Sequence, residues 1–147
     1  HHRLKANIFS IMLGLPGHHK SVSSVRAEAL DLLHAVGLAD VADIPVKRLP
    51  HGYRRLIEIA RALGVHPHLM ILDEPAAGLA PEEMRHLLRL LKVIKANGIA
   101  ILVIEHNMEF VMSIADRISV LDFGIKIAEG TPEEIQTNQA VLAAYLG

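Results

Sequence analysis

The chain has 147 residues, 51% of them hydrophobic and only 3% aromatic, with a formal net charge of −1. That length carries a domain with a real, aliphatic core, and the charge balance gives no footprint for bulk nucleic-acid binding. The absence of Cys excludes disulfides and thiolate metal sites and fits a cytosolic location, no apolar run approaches the roughly 20 residues of a membrane helix, and no secretory signal pattern is present.

Residues 1–20 are short apolar patches broken by Gly14, Pro16 and Gly17. Ser21 or Ser24 can cap a helix with apolar positions at Val22, Val25, Ala29, Leu32, Leu33 and Val36, which Gly37 ends. Residues 38–50 read as a short helix and a loop. Gly52 opens a second helix to about Leu63, with Leu56, Ile57, Ala60 and Leu63 facing a core. The texture changes near Pro67. Leu69 to Asp73 reads as a strand, and Pro81 starts a helix with Glu82 and Glu83 in its first turn. Gly98 ends that helix. A second buried strand is expected from Ile99 to Glu105, then a short helix from Met108 to Ile114. Arg117–Leu121 and Ile125–Glu129 form a hairpin around Asp122-Phe123-Gly124. Thr131-Pro132-Glu133-Glu134 is a capping box, and the tail reads as an amphipathic helix. The strand–helix–strand order from 69 to 121 argues a parallel α/β core. Residues 1–66 read as all-helical and form one domain, and residues 67–147 form a second.

The stretch Leu69-Met70-Ile71-Leu72-Asp73-Glu74-Pro75 carries the most chemistry. Four apolar residues fit a strand buried on both faces of a parallel sheet. Two carboxylates at its carboxyl end stand where open α/β sheets bind ligands. One acid can hold Mg²⁺ and the next can orient or deprotonate a water, the Walker B arrangement of a P-loop nucleotide hydrolase. A solvated acidic turn is the plain alternative. The second strand ends in Glu105-His106, so polar groups from two neighbouring strands line one sheet edge. A His there can contact a γ-phosphate and sense its loss, although a lone His is more often a loop or capping residue. The ten His residues show no H-E-x-x-H or similar ligand spacing.

Several ordered segments together resemble the C-terminal part of an ABC-transporter ATPase subunit. They are Leu49-Pro50-His51-Gly52-Tyr53, Arg54 to Leu63, Leu69 to Pro75, Ala77-Gly78-Leu79, His106, Ala115-Asp116-Arg117-Ile118, and Ala128 to Ile135. Glu74-Pro75-Ala76-Ala77-Gly78-Leu79 and Val103 to Met108 are similar to the ATPases of branched-chain amino-acid importers. The resemblance implies an α/β P-loop NTPase fragment: a helical subdomain, then the Walker B half of the RecA-like core. By position it implies that Asp73 reaches Mg²⁺ through water, that Glu74 is the general base, and that His106 is the switch histidine. Ala77, Gly78, Leu79 and Ala80 become the loop that crosses to the partner subunit. Leu49, Pro50, His51, Gly52 and Tyr53 become the signature that clamps the partner's ATP, with a helix N-terminus aimed at phosphate. The implied cofactors are ATP and Mg²⁺. The implied partners are a second ATPase subunit, head to tail, and transmembrane permease subunits, with no nucleic acid. The implied place is the cytoplasmic face of the inner membrane, as a peripheral subunit.

The departures from the pattern are specific. The family signature has Ser after Leu and Gln after Gly, where this chain has Pro50 and Tyr53. The crossing loop usually ends in Asp or Asn, where this chain has Ala80. Gly14-Leu15-Pro16-Gly17-His18-His19-Lys20-Ser21 matches the phosphate-loop pattern except that His19 replaces the second Gly, and its Cβ obstructs the backbone amides that wrap phosphate. It also lies too close to Leu49 to leave room for the first half of a nucleotide core. A phosphate loop, a glutamine loop and an adenine-stacking aromatic are therefore expected in sequence preceding His1, and the chain alone is expected to be inactive. Two alternatives fit the same residues: a non-transport ABC ATPase, or a catalytically inactive ABC-like interaction module, which Pro50, Tyr53 and Ala80 favour.

Overall fold

A computed structural model describes residues 22–146. The chain divides into two compact units, one reaching Ile104 and one beginning at Glu105. The phosphate-loop-like segment at 14–21 lies outside the described residues.

In the unit reaching Ile104, α1 spans Val22–Ala35 and stops before Gly37, which takes φ +78°, the left-handed geometry that glycine adopts without steric cost. Ala35 and Val36 are buried, while Val25 is exposed. Two 3-10 turns, Ala39–Val41 and Val46–Arg48, lead to α2, His51–Leu63. Its buried residues are Gly52, Leu56, Ile59, Ala60 and Leu63, one stripe at helical spacing. Ile59 takes the core place expected for Ile57, which lies about 100° round the helix from Leu56 and is half-buried.

Strand β1, Leu69–Asp73, pairs in parallel with β2, Ala100–Ile104, from Leu69↔Ala100 to Asp73↔Ile104. The crossover is α3, Pro81–Ala96, which buries Leu87, Leu90, Leu91 and Ile94. Its end is set by Gly98 at φ +85°. Pro67 lies inside this unit, and Nε2 of His86 on α3 is 3.2 Å from the Val36 carbonyl oxygen. The strands are not buried on both faces. Ile71 and Leu102, paired side by side, are 62% and 51% exposed, and Leu69 and Ile104 share that exposed face. A two-stranded sheet has too few neighbours to cover both faces, so an apolar run that reads as a fully buried strand is here half-covered.

In the second unit, α4 spans Met108–Ile114. A hairpin follows, β3 (Ile118–Asp122) against β4 (Ile125–Gly130), with a register shift after Val120. Phe123 and Gly124 turn it with φ of +43° and +82°, the two positive values that a two-residue type I′ connection needs. Helix α5, Pro132–Gln136, has the expected capping box: Thr131 N–H donates to Glu134 Oε2 at 2.8 Å and Glu134 N–H to Thr131 Oγ1 at 3.4 Å. The tail is a separate helix, α6, Gln139–Leu146. It is not amphipathic, because after Gln139 its sequence is apolar all round except for Tyr145. Ile118, Ile135 and Val141 form the core of this unit. Among the described residues no helix is long and apolar enough to cross a membrane.

The hairpin carries a pH-dependent clamp. Glu129 accepts from Lys126 Nζ at 2.6 Å and from Arg117 Nε at 2.8 Å. The Lys126 bond, then the Arg117 bond, lower its carboxyl from 4.5 to about 2. A depressed acid stabilises the fold above its unfolded pKa and loses that contribution as pH falls through the folded value. The hairpin is therefore expected to lose this contribution between pH 4.5 and about 2. Acid titration of the β3–β4 amide signals, with Glu129→Gln as reference, checks this. Equal acid sensitivity of the two proteins would refute it.

Candidate functional site

Asp73 and Glu74 stand at the carboxyl end of β1, and both are exposed. Asp73 closes the ladder with Ile104. Glu74 N–H then donates to the Ile104 carbonyl at 2.9 Å, one step past the strand. Glu74 has φ +43°, a left-handed geometry that costs a non-glycine residue roughly 1–3 kcal/mol and occurs mostly where the surroundings enforce it. Its carbonyl accepts from Ala77 N–H at 3.1 Å and from Arg55 Nη2 at 3.2 Å. Pro75 and Ala76 behind it are buried. The main chain thus fixes where the Glu74 side chain starts. Asp73 is a carboxylate of the type that takes Mg²⁺ together with phosphates and water, rather than in an all-protein cage. Among the described residues no group of three or more His, Asp or Glu side chains is placed to hold a metal by itself.

The segment 49–53 meets the loop 77–80. Leu49 is buried, and its carbonyl accepts from Arg54 Nε at 2.9 Å. Pro50 is the N-cap of α2 and provides no side-chain cap. His51 Nε2 lies 3.2 Å from the Ala77 carbonyl oxygen. Gly78 at φ +70° turns the loop beside the same imidazole. Leu79 N–H donates to the Ala76 carbonyl, and Ala80 is the N-cap of α3. Tyr53 is 38% exposed. The sequence placed these residues in two separate motifs, and the fold brings them together.

Gly52 has a reason beyond helix geometry. A Cβ on it would come 2.3 Å from Glu83 Oε1. That carboxylate is already committed, since its Oε2 accepts Ala80 N–H at 2.9 Å. Glu83 thus caps α3 while resting against the first turn of α2, where negative charge is favourable. Gly130 stands in the same relation to Glu134, at 2.5 Å. Gly52→Ala is expected to displace Glu83 from Ala80. The lost bond, about 1 kcal/mol, roughly offsets the gain of about 0.5–1 kcal/mol from removing a helical Gly. In a Glu83→Ala background only the gain remains, so there Gly52→Ala should stabilise. A denaturant double-mutant cycle checks the coupling, and additive changes would refute it.

His106 lies in the second unit, exposed, just ahead of α4. Glu105 Oε2 accepts His106 N–H at 3.1 Å and Asn107 N–H at 3.2 Å. Asn107, not His106, caps α4, its Oδ1 accepting Phe110 N–H at 3.1 Å. Glu105 therefore shapes the turn that presents the imidazole. Sequence reasoning missed the roles of Arg55, Glu83 and Asn107. Asn107 had a usable signal, an Asn at the head of a helix.

A family model described as "ABC transporter" matches residues 3–77, and one described as "Branched-chain amino acid ATP-binding cassette transporter" matches residues 126–147. The first match runs further toward the start of the chain than the motifs quoted above. The high-affinity branched-chain amino acid transport ATP-binding protein LivG of Salmonella typhimurium is 40% identical over all of this chain and 58% of its own length. BraF of Pseudomonas aeruginosa, which carries the same description, is 37% identical over the same shares. The chain thus spans a little over half the length of these relatives. Among solved structures, the ADP conformation of MJ1267, an ATP-binding cassette of an ABC transporter, superimposes with a TM-score of 0.78 at 27% identity, over 98% of this chain and 62% of that one.

Proposed function

The chain belongs to the ABC transporter family, and we propose that it forms the C-terminal portion of the ATP-hydrolysing subunit of an importer for branched-chain amino acids or a related small amide. The observation that carries this is the Asp73-Glu74 pair at the end of a parallel strand, with both main-chain groups of Glu74 hydrogen-bonded. In this reading residues 1–66 belong to the helical subdomain and residues 67–147 to the nucleotide core. The exposed apolar face of β1 and β2 supports a larger assembly, because contiguous apolar surface of that kind calls for a cover.

Bound Mg²⁺, held near Asp73, would neutralise developing charge on the phosphates. Glu74 takes the proton of the attacking water. His106 contacts the γ-phosphate. Leu49, Pro50, His51, Gly52 and Tyr53 face the nucleotide of a second, head-to-tail subunit, with the first turn of α2 offering backbone amides. Ala77, Gly78, Leu79 and Ala80 run along the same junction. Permease subunits receive the motion at the cytoplasmic face of the membrane. Reconstitution of the full-length subunit with its permease tests this. ATP-dependent uptake of leucine, isoleucine or valine is expected, and ATP hydrolysis indifferent to every small amide or amino acid offered would overturn it. Pro50, Tyr53 and Ala80 favour a second reading, an inactive interaction module, which absent hydrolysis would support.

A further inference from the structure

Arg55 lies on α2, three residues past Gly52, and reaches out of its own element. Its Nη1 donates to Glu58 Oε2 at 3.0 Å and its Nη2 donates to the Glu74 carbonyl at 3.2 Å. The side chain is 25% exposed, and its Nε is buried without a hydrogen-bond partner. An unmade bond of that kind costs roughly 1–3 kcal/mol, so stability alone gives little reason for a guanidinium here. What it reaches is the one residue in the loop after β1 that combines a carboxylate with left-handed backbone, φ +43°. Two different nitrogens of a planar fork serve two acceptors at once. A Lys ammonium has one nitrogen and cannot hold both in that geometry.

We propose that Arg55 is a positioning residue for Glu74, tying the first turns of α2 to the main chain of the general base. This rests on the ATPase reading of the site. Rotation of the Glu74 peptide swings the carboxylate that begins on it. The Ala77 N–H bond restrains that carbonyl from the loop side, and Arg55 restrains it from α2. If the first turn of α2 engages the partner's nucleotide, Arg55 relays that engagement to Glu74 in a single side-chain step. The inactive arrangement would then be one in which α2 has shifted and the carbonyl has lost its second donor.

The test uses steady-state ATP hydrolysis by the full-length protein. Arg55→Met should lower kcat about tenfold to a hundredfold, the size of effect that a misplaced catalytic group produces, with KM for ATP within about twofold. In a Glu74→Gln background the same change should alter the residual rate by less than about twofold, because the group it positions is already gone. Arg55→Lys, which keeps the stem and the charge, should reproduce this pattern if the Met variant folds poorly. An equal fold-loss in both Glu74 backgrounds would mean a merely structural role and would overturn the proposal, as would full activity of both Arg55 variants. A wild-type protein without hydrolysis, or Glu74→Gln at the wild-type rate, would instead overturn the reading on which it rests.

Discussion

Replacing Glu74 by Gln in the full-length subunit should slow ATP hydrolysis by about 10²–10⁴-fold, the range that general-base loss typically covers, and leave ATP bound. The substitution is clean for a structural reason. The main chain of residue 74 is held on both sides: its N–H on the Ile104 carbonyl, and its own carbonyl between Ala77 and Arg55. Gln has the same branching as Glu and meets the same steric cost at φ +43°. The fold should therefore keep its stability within about 0.5 kcal/mol, and the lost rate reports the carboxylate alone. In the proposed site Glu74 acts on the attacking water rather than on phosphate, so the ATP-bound dimer should accumulate. Single-turnover kinetics separate binding from chemistry. A rate near wild type would remove Glu74 as the base. A slow enzyme that has also lost ATP affinity would point to a binding role instead.

Much of the fold was legible in the sequence because its signals are local. A helix start at Pro81, a hairpin turning at Phe123-Gly124 and a capping box at Thr131–Glu134 each depend on residues within four positions, and each is where the pattern puts it. The parallel pairing of β1 and β2 followed from two apolar runs separated by one helix. The contacts that complete the site span longer separations. Arg55 and Glu74 are 19 positions apart and His51 and Ala77 are 26 apart, and no periodicity links such pairs. Gly52 looked like a helix-opening residue, whereas its lack of a side chain makes room for the Glu83 carboxylate. The exposed faces of Ile71 and Leu102 show the opposite failure. Apolar sequence records what a strand is suited to bury, and two strands supply too little surface to bury it.

The altered signature should be the place where this protein can be strengthened. Pro50 caps α2 without a side-chain acceptor, and Tyr53 projects a ring that is 38% exposed. Both positions are exposed, so the two substitutions leave the buried core of the unit unchanged. Pro50→Ser with Tyr53→Gln in the full-length protein should tighten ATP-driven dimerisation about tenfold or more. One restored charge-assisted hydrogen bond contributes about 1.5–3 kcal/mol, and each factor of ten is worth about 1.4 kcal/mol. A competing effect has to be separated. Ser at an N-cap also stabilises its own helix by about 1 kcal/mol, and the residue-50 backbone, at φ −54° and ψ 160°, accepts Ser without strain. That gain belongs to the subunit and is the same with and without nucleotide. Sedimentation in a Glu74→Gln background distinguishes the two, since a contact to the partner's phosphate tightens only the ATP-bound dimer. Thermal unfolding without nucleotide measures the cap on its own. A more stable subunit with an unchanged or weaker dimer would show that the departures at Pro50 and Tyr53 are compensated, or that this protein does not form a head-to-tail ATP sandwich.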